Sequence, residues 1–331
     1  MVKYGLLVHS TENLGDDIQS LAAKQFLPRV DILIDRDYPN RVNSKESVKV
    51  IMNGWFTHKP ENWPPSSKID PLFISFHISD QIANKMLRPR VVEYLKNFRV
   101  GCRDLWTKEL LEGEGIDAYF SGCLTLTLDY GYRKFKNQKE NSGNILICDL
   151  DPRALAFIPP DILVYAKFVS NEIFAPLPKY FPNFLRYLGK KIRQSNLGRE
   201  ISDKILYTVN YLKAKRFSVQ KRLQLAEERI RDVATARLVI TSRLHIALPA
   251  LAFGTSVLFV NDNLNDVRFR GLIKFLNAYT VNEFKNKIGE IDLEKPPKNP
   301  NQAELIRLKS NLIKAVERFV GEVNESNHCK N

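Results

Sequence analysis

ARLVITSRLHIALPALAFGTSVLFVN, residues 236–261, decides how this chain is read. Arg237–Ile240 leads into Thr241-Ser242 as an apolar, partly β-branched run, which predicts a buried strand. Leu244–Phe253 loses strand patterning and stops at Gly254, as a helix with a glycine C-cap would, and Ser256–Val260 reads as the last parallel strand. In an open parallel sheet, ligands bind beyond the carboxyl ends of the strands, where the next helix aims its unpaired N–H groups at an anion. Arg243 and His245 fall at that position. An arginine can grip a carboxylate or phosphate through two hydrogen bonds, and an imidazole two residues on can exchange a proton near neutral pH. The same pair also admits a structural reading, with Arg243 on a core carboxylate and His245 a satisfied, partly buried histidine.

Upstream, strands are predicted at Tyr4–His9, Asp31–Ile34, Val48–Met52, Leu72–Phe76, Val100–Cys102 and Ala118–Phe120, with helices at Ile18–Phe26, Val91–Phe98 and Thr107–Glu112. Such alternation marks a doubly wound parallel sheet. The polar stretch Arg133–Asn144 precedes a fresh strand at Ile145–Cys148, and 331 residues exceed one ordinary core, so an N-terminal domain of 1–143 and a C-terminal domain of 144–331 are expected. In the second half a strand is expected at Ile162–Tyr165, helices at Ser218–Ala234 and Asn301–Val323.

The turn Asn13-Leu14-Gly15-Asp16-Asp17 opens the first helix. One glycine and two carboxylates argue against a dinucleotide site, because the carboxylates repel a phosphate drawn to that helix end. One of Asp16 and Asp17 suits a helix cap; the other can face a cleft and accept a proton from a sugar hydroxyl, with Asn13 as a hydrogen-bonding neighbour. Arg103-Asp104 ends the fifth strand, as a second anion contact or as a pair that holds its turn. His77, after the fourth strand, is a weaker candidate for the same cleft, and His9 sits behind the site.

The net charge of +13 is uneven. Between Arg186 and Arg222 eleven basic residues stand against Glu200 and Asp203, an excess of nine, with Leu185, Leu188, Ile201, Ile205, Val209 and Leu212 at helical spacing. Such a segment fits an anionic membrane surface or a solvated helical face. No helix-turn-helix, zinc-finger or RNP pattern supports nucleic acid. Cys102, Cys123, Cys148 and Cys329 are scattered without ligand spacing, so no metal site is expected. The five-residue apolar run near the start is short for a signal peptide and no run approaches a membrane span, which places the chain in the cytoplasm, with the basic segment as a peripheral contact to the inner face of the membrane.

Three segments in order carry a resemblance to the polysaccharide pyruvyl transferase family: Asn13–Asp17, Val100–Leu128 with its Arg103-Asp104 turn, and TSRLHIALPALAFGTSVLFV. The resemblance implies two Rossmann-like domains with parallel sheets in a GT-B-like arrangement, phosphoenolpyruvate as donor substrate with no further cofactor, and a sugar diol of a glycan or lipid-linked oligosaccharide as the acceptor that becomes a pyruvate ketal. On that reading Arg243, Ser242, Leu244 and Arg103 hold the donor, His245 is the general acid, Asp16 or Asp17 the base, and Asn13, Gly15, Asn53 and His77 form the acceptor side. Many relatives have a glycine-rich turn after the third strand where this chain reads Met52-Asn53-Gly54-Trp55. The alternative is a nucleotide-sugar glycosyltransferase of the same architecture, for which Asp262, Asn265 and Asp266 form no convincing ribose-binding pair. A non-catalytic glycan- or membrane-binding protein is a third reading, and it leaves Arg243 and His245 without a task.

Overall fold

A computed structural model describes residues 2–9, 11–56, 58–136, 144–172 and 217–321. Six parallel strands, β1 (Lys3–Val8), β2 (Ile32–Asp35), β3 (Val48–Trp55), β4 (Ile69–His77), β5 (Val100–Cys102) and β6 (Ala118–Phe120), form one sheet in the order β2-β1-β3-β4-β5-β6. Five more, β7 (Ile145–Cys148), β8 (Lys167–Val169), β9 (Leu238–Thr241), β10 (Ser256–Val260) and β11 (Asn277–Tyr279), form a second parallel sheet in the order β11-β10-β9-β7-β8. Both sheets reverse direction of winding once, between β1 and β3 in the first and between β7 and β9 in the second. This is the doubly wound α/β architecture, Rossmann-like in each sheet.

Burial alternates residue by residue, as period-2 side chains require in strands covered on both faces. Leu146, Cys148, Val239, Val257 and Phe259 enter a core shared between the sheets, whereas Ile145, Ile147, Leu238, Ile240, Leu258 and Val260 enter the outer core of the second sheet. The shared core is filled by α1 (Leu14–Lys24), by α8 (Val219–Thr235), α9 (Leu244–Phe253) and α11 (Gln302–Val320). The outer face of the first sheet is covered by the helices α2 (Ala83–Met86), α3 (Pro89–Leu95) and α4 (Leu105–Gly113); α5 (Arg133–Lys136) adds Phe135 to the shared core. On the outer face of the second lie α6 (Pro152–Leu155), α7 (Pro160–Tyr165) and α10 (Val281–Lys287). At its end α11 returns to the first sheet, where the Tyr4 hydroxyl donates to the Val320 carbonyl at 3.2 Å and Tyr130 donates to Glu317 at 2.9 Å.

Two expectations are corrected. Ile162–Tyr165 is the end of α7 rather than a strand, because Pro160 occupies the first helical position, where its missing N–H costs nothing and its fixed φ favours the helix; the strand follows as β8. Ser256–Val260 is not the last parallel strand, since β11 pairs beyond it through Leu258, Phe259 and Val260. Among the described residues no helix is long and apolar enough to cross a membrane.

Candidate functional site

A cleft of about 510 Å³ opens where the two points of reversal face each other. Its walls come from the carboxyl ends of strands: Asn13 and Asp16 after β1, Trp55 ending β3, Arg103 after β5, Asp149–Pro152 after β7, Asn171 after β8, Ser242–His245 after β9 and Asn261–Asn263 after β10. The walls touch directly, for Leu14 N–H donates to the Asn171 carbonyl at 2.7 Å and Asn13 bridges to Glu172.

The Arg-x-His turn is held from behind. Thr241 Oγ1 accepts from Arg243 N–H at 3.0 Å, and the Ile246 and Ala247 amides both return to the Arg243 carbonyl. The amides of Leu244 and His245 precede that first intrahelical bond, and both residues line the cleft. Pro249 lacks the N–H that would reach the His245 carbonyl, and His245 accordingly leaves helical geometry with φ −80° and ψ 21°. Close by, Gly15 gives the imidazole room: a Cβ there would lie 2.9 Å from His245 Cβ and 3.1 Å from its Nδ1. The glycine of the first motif therefore serves the histidine of the last. Ser242 is occupied at the wall, its hydroxyl accepting from Asp151 N–H at 3.1 Å.

Charge compensation separates the three arginines of the cleft. Arg243 donates to Asp149 at 3.1 Å and to Glu172, and these carboxylates raise its pKa against the effect of burial. Arg268, which the sequence reading missed, is paired with Asp266 at 2.9 and 2.6 Å. Arg103 is 2% exposed, its Nε lies 3.6 Å from Asp104 without a hydrogen bond, and Asp104 is already taken by His77 Nδ1 at 2.6 Å. Burial lowers the Arg103 pKa. A buried cation whose nearest carboxylate is shared with a histidine favours an anion in this cleft. Among the described residues His245 Nε2 is likewise buried without a hydrogen-bond partner, and burial, with Arg103 and Arg268 adding, pushes the imidazole down to about 3.

The two carboxylates of the first turn have separate fates. Asp16 lines the cleft, receives Thr11 Oγ1 at 2.7 Å and pairs with buried Arg36 at 3.2 Å. Burial alone would raise its pKa, but Arg36, His9 and the Thr11 hydroxyl outweigh that and hold it well below the usual carboxylate range. Asp17 is turned away, taking two hydrogen bonds at 3.1 and 2.8 Å from Arg222 on α8. Neither carboxylate caps α1, because the Asn13 side chain does so by accepting from Gly15 N–H at 2.8 Å. Arg222, counted above in the basic segment, is 7% exposed on Asp17 and belongs to no solvated face; positions 186–216 lie outside the described residues.

Asn53 and His77 do not line the cleft. Asn53 is 4% exposed and donates to the Gln19 carbonyl at 2.9 Å, tying β3 to α1. His77 is fully buried on Asp104 and Thr107, pushed down to about 4 by burial first and by Arg103. Trp55 instead lines the cleft at the end of β3, past the register shift between Met52 and Gly54. That bulge sits in the segment where the sequence departs from its resemblance, the only signal that pointed to it.

A model of the polysaccharide pyruvyl transferase family matches residues 13–263, which span Asn13–Asp17, Arg103 and Arg243-Leu244-His245. No curated protein matches the sequence. Among solved structures, the chain is similar to a functionally uncharacterized protein, KP1_0663, from Klebsiella pneumoniae subsp. pneumoniae NTUH-K2044, at 14% identity over 81% of this chain and 87% of that chain, with a TM-score of 0.39.

Proposed function

This chain belongs to the polysaccharide pyruvyl transferase family, and from that premise we propose that it transfers the pyruvyl group of phosphoenolpyruvate to two hydroxyls of a sugar, forming a ketal. The observation that carries the reading is the presence, in one cleft, of a buried arginine, Arg103, whose carboxylate neighbour is taken by His77, and a histidine, His245, whose Nε2 has no hydrogen-bond partner among the described residues. The donor's negative charge docks on Arg103, on Arg243 and on the first amides of α9. His245 is kept neutral first by burial and then by Arg103 and Arg268; the donor's negative charge offsets the arginines' share and favours proton uptake by the imidazole, which acts as the general acid.

His245 then delivers that proton to the methylene carbon of the donor, which leaves C2 electrophilic. A sugar hydroxyl hydrogen-bonded to Asp16 attacks C2 and gives up its proton, the C2–O bond to phosphate breaks, and the neighbouring hydroxyl closes the ketal while its proton leaves with the phosphate. One proton, supplied by His245, ends on the new methyl group and one, from the second hydroxyl, on phosphate; the proton of the first hydroxyl replaces the one His245 gave up, so both hydroxyl hydrogens are accounted for and the histidine is restored. Asp16, held ionised by Arg36, orients the nucleophile as an acceptor more than it stores a proton. A GT-B-like placement of the domains agrees with a cleft built from the carboxyl ends of both sheets.

Differential stabilisation tests the donor. Phosphoenolpyruvate at about 100 times its Kd should stabilise the protein by about 2.7 kcal/mol, and UDP- and GDP-sugars should not; the reverse result moves the chain to the glycosyltransferases. We further infer, from the basic excess between Arg186 and Lys221 that remains once buried Arg222 is set aside, that the acceptor is presented at an anionic surface on the cytoplasmic side. Sedimentation with anionic liposomes should occur at low salt and fade as the Debye length shortens to about 10 Å at 0.1 M; no binding at low salt removes this role.

A further inference from the structure

The short 3-10 turn Val267–Phe269, after β10, brings Arg268 into the cleft from the second sheet's side. Its loop is clamped onto the turn that carries Arg103. Leu105 N–H donates to the Arg270 carbonyl at 3.1 Å, Arg270 pairs with Glu109 of α4 at 2.8 Å, and Gly271, at φ +86°, fits where a Cβ would lie 2.9 Å from Leu105 Cγ and from the Phe120 ring. Arg103 and Arg268 thus come from different sheets yet hang from one docked junction, which fixes their relative position.

Asp266 binds the Nε and Nη2 edge of Arg268 and also accepts its backbone N–H at 2.9 Å, so one carboxylate both orients and half-compensates the guanidinium. Among the described residues Nη1 of Arg268 has no protein partner, and its side chain remains 48% exposed. Around the same space Arg268 adds to the positive potential felt by Arg103, His77 and His245, and Arg243 adds to that felt by Arg268. Asp80 also acts on Arg268, with opposite sign. Three arginines converging on one cleft, with Arg243 alone doubly paired, form a site for more than one negative charge.

We propose that Arg268 and Arg103 form a clamp across the two sheets that takes the phosphoryl group of the donor and retains the phosphate after it leaves. This rests on the donor reading above. It makes Arg268 a substrate-binding residue and inorganic phosphate a product inhibitor that competes with the donor. A guanidinium fork matches phosphate oxygens in pairs, a geometry that a lysine cannot reproduce.

Calorimetric titration of the wild-type chain, Arg268→Gln and Arg268→Lys with phosphoenolpyruvate, inorganic phosphate and pyruvate tests it. Arg268 is half-exposed, so both variants should keep the wild-type melting temperature within a few degrees. Phosphate should displace phosphoenolpyruvate from the wild type; Arg268→Gln should weaken both phosphate-bearing ligands by roughly ten- to a hundredfold and leave pyruvate unchanged, with Arg268→Lys between. Wild-type phosphate affinity in folded Arg268→Gln overturns the clamp, as does a loss confined to pyruvate, which would put the carboxylate there instead. A wild-type chain that binds phosphate but not phosphoenolpyruvate overturns the donor reading and keeps the anion clamp; one that binds neither overturns both.

Discussion

At the scale of the residue, His245 and Gly15 are one device. His245→Gln keeps size and polarity but delivers no proton, so turnover should fall by roughly 10² to 10⁴ while donor affinity is largely retained. Gly15→Ala should gain helix propensity, yet its Cβ meets His245 Cβ at 2.9 Å, and the imidazole or the start of α1 must move. Misplacement on that scale costs up to about 10² in rate, so a folded Gly15→Ala protein should lose turnover without losing its melting temperature. Steady-state kinetics of the two variants beside thermal melts check both; an unchanged rate in Gly15→Ala would mean that the contact has no bearing on catalysis. The Arg-x-His spacing was legible because it sits at a strand-to-helix turn. Which arginine is free for a ligand was not, because Asp149 and Glu172 reach Arg243, and His77 takes Asp104 from Arg103, only through the fold.

At the scale of the element, α1 and α8 are joined by Asp17 and Arg222, both under 10% exposed. Asp17→Asn leaves a buried guanidinium without a counter-charge and should destabilise by about 3 to 5 kcal/mol, whereas replacing both residues with leucine should cost less. Urea unfolding of the single and double variants measures the difference; equal losses would mean that burial of Arg222, and not its pairing, governs this contact. Adjacent residues of one motif, Asp16 and Asp17, thus serve the cleft and the helix packing respectively. The 100° step between them on α1 is a sequence fact, but only the position of α8 says which direction is inward.

At the scale of the whole molecule, burial holds three histidines neutral: His9 is pushed down to about 4, His77 to about 4 and His245 to about 3. In the unfolded chain each takes a proton below pH 6.5, and in the native state it does not, so stability is complete above pH 6.5 and declines as the pH falls towards 4. For His77 the loss at pH 5 is about 2 kcal/mol. Thermal melts at pH 7.5 and 5 should show that decline, and His77→Gln should reduce the difference between them; a full wild-type pH dependence in that variant would refute the linkage. The doubly wound alternation, the first sheet, strands β7, β9 and β10 of the second, the Arg243–His245 turn and the Asn13–Asp17 turn were determined by the sequence alone, since hydrophobic period, glycine punctuation and motif spacing are local properties of the chain; the edge strands β8 and β11 were not. Tertiary structure decided the rest. It set the reversal point of one sheet opposite that of the other, brought Arg268 beside Arg103 through a loop docked on Leu105 and Phe120, withdrew Asp17 and Asn53 into packing, and left Arg103 short of counter-charge. Charge compensation and burial depend on distances between residues far apart in the chain, and no local pattern encodes those distances.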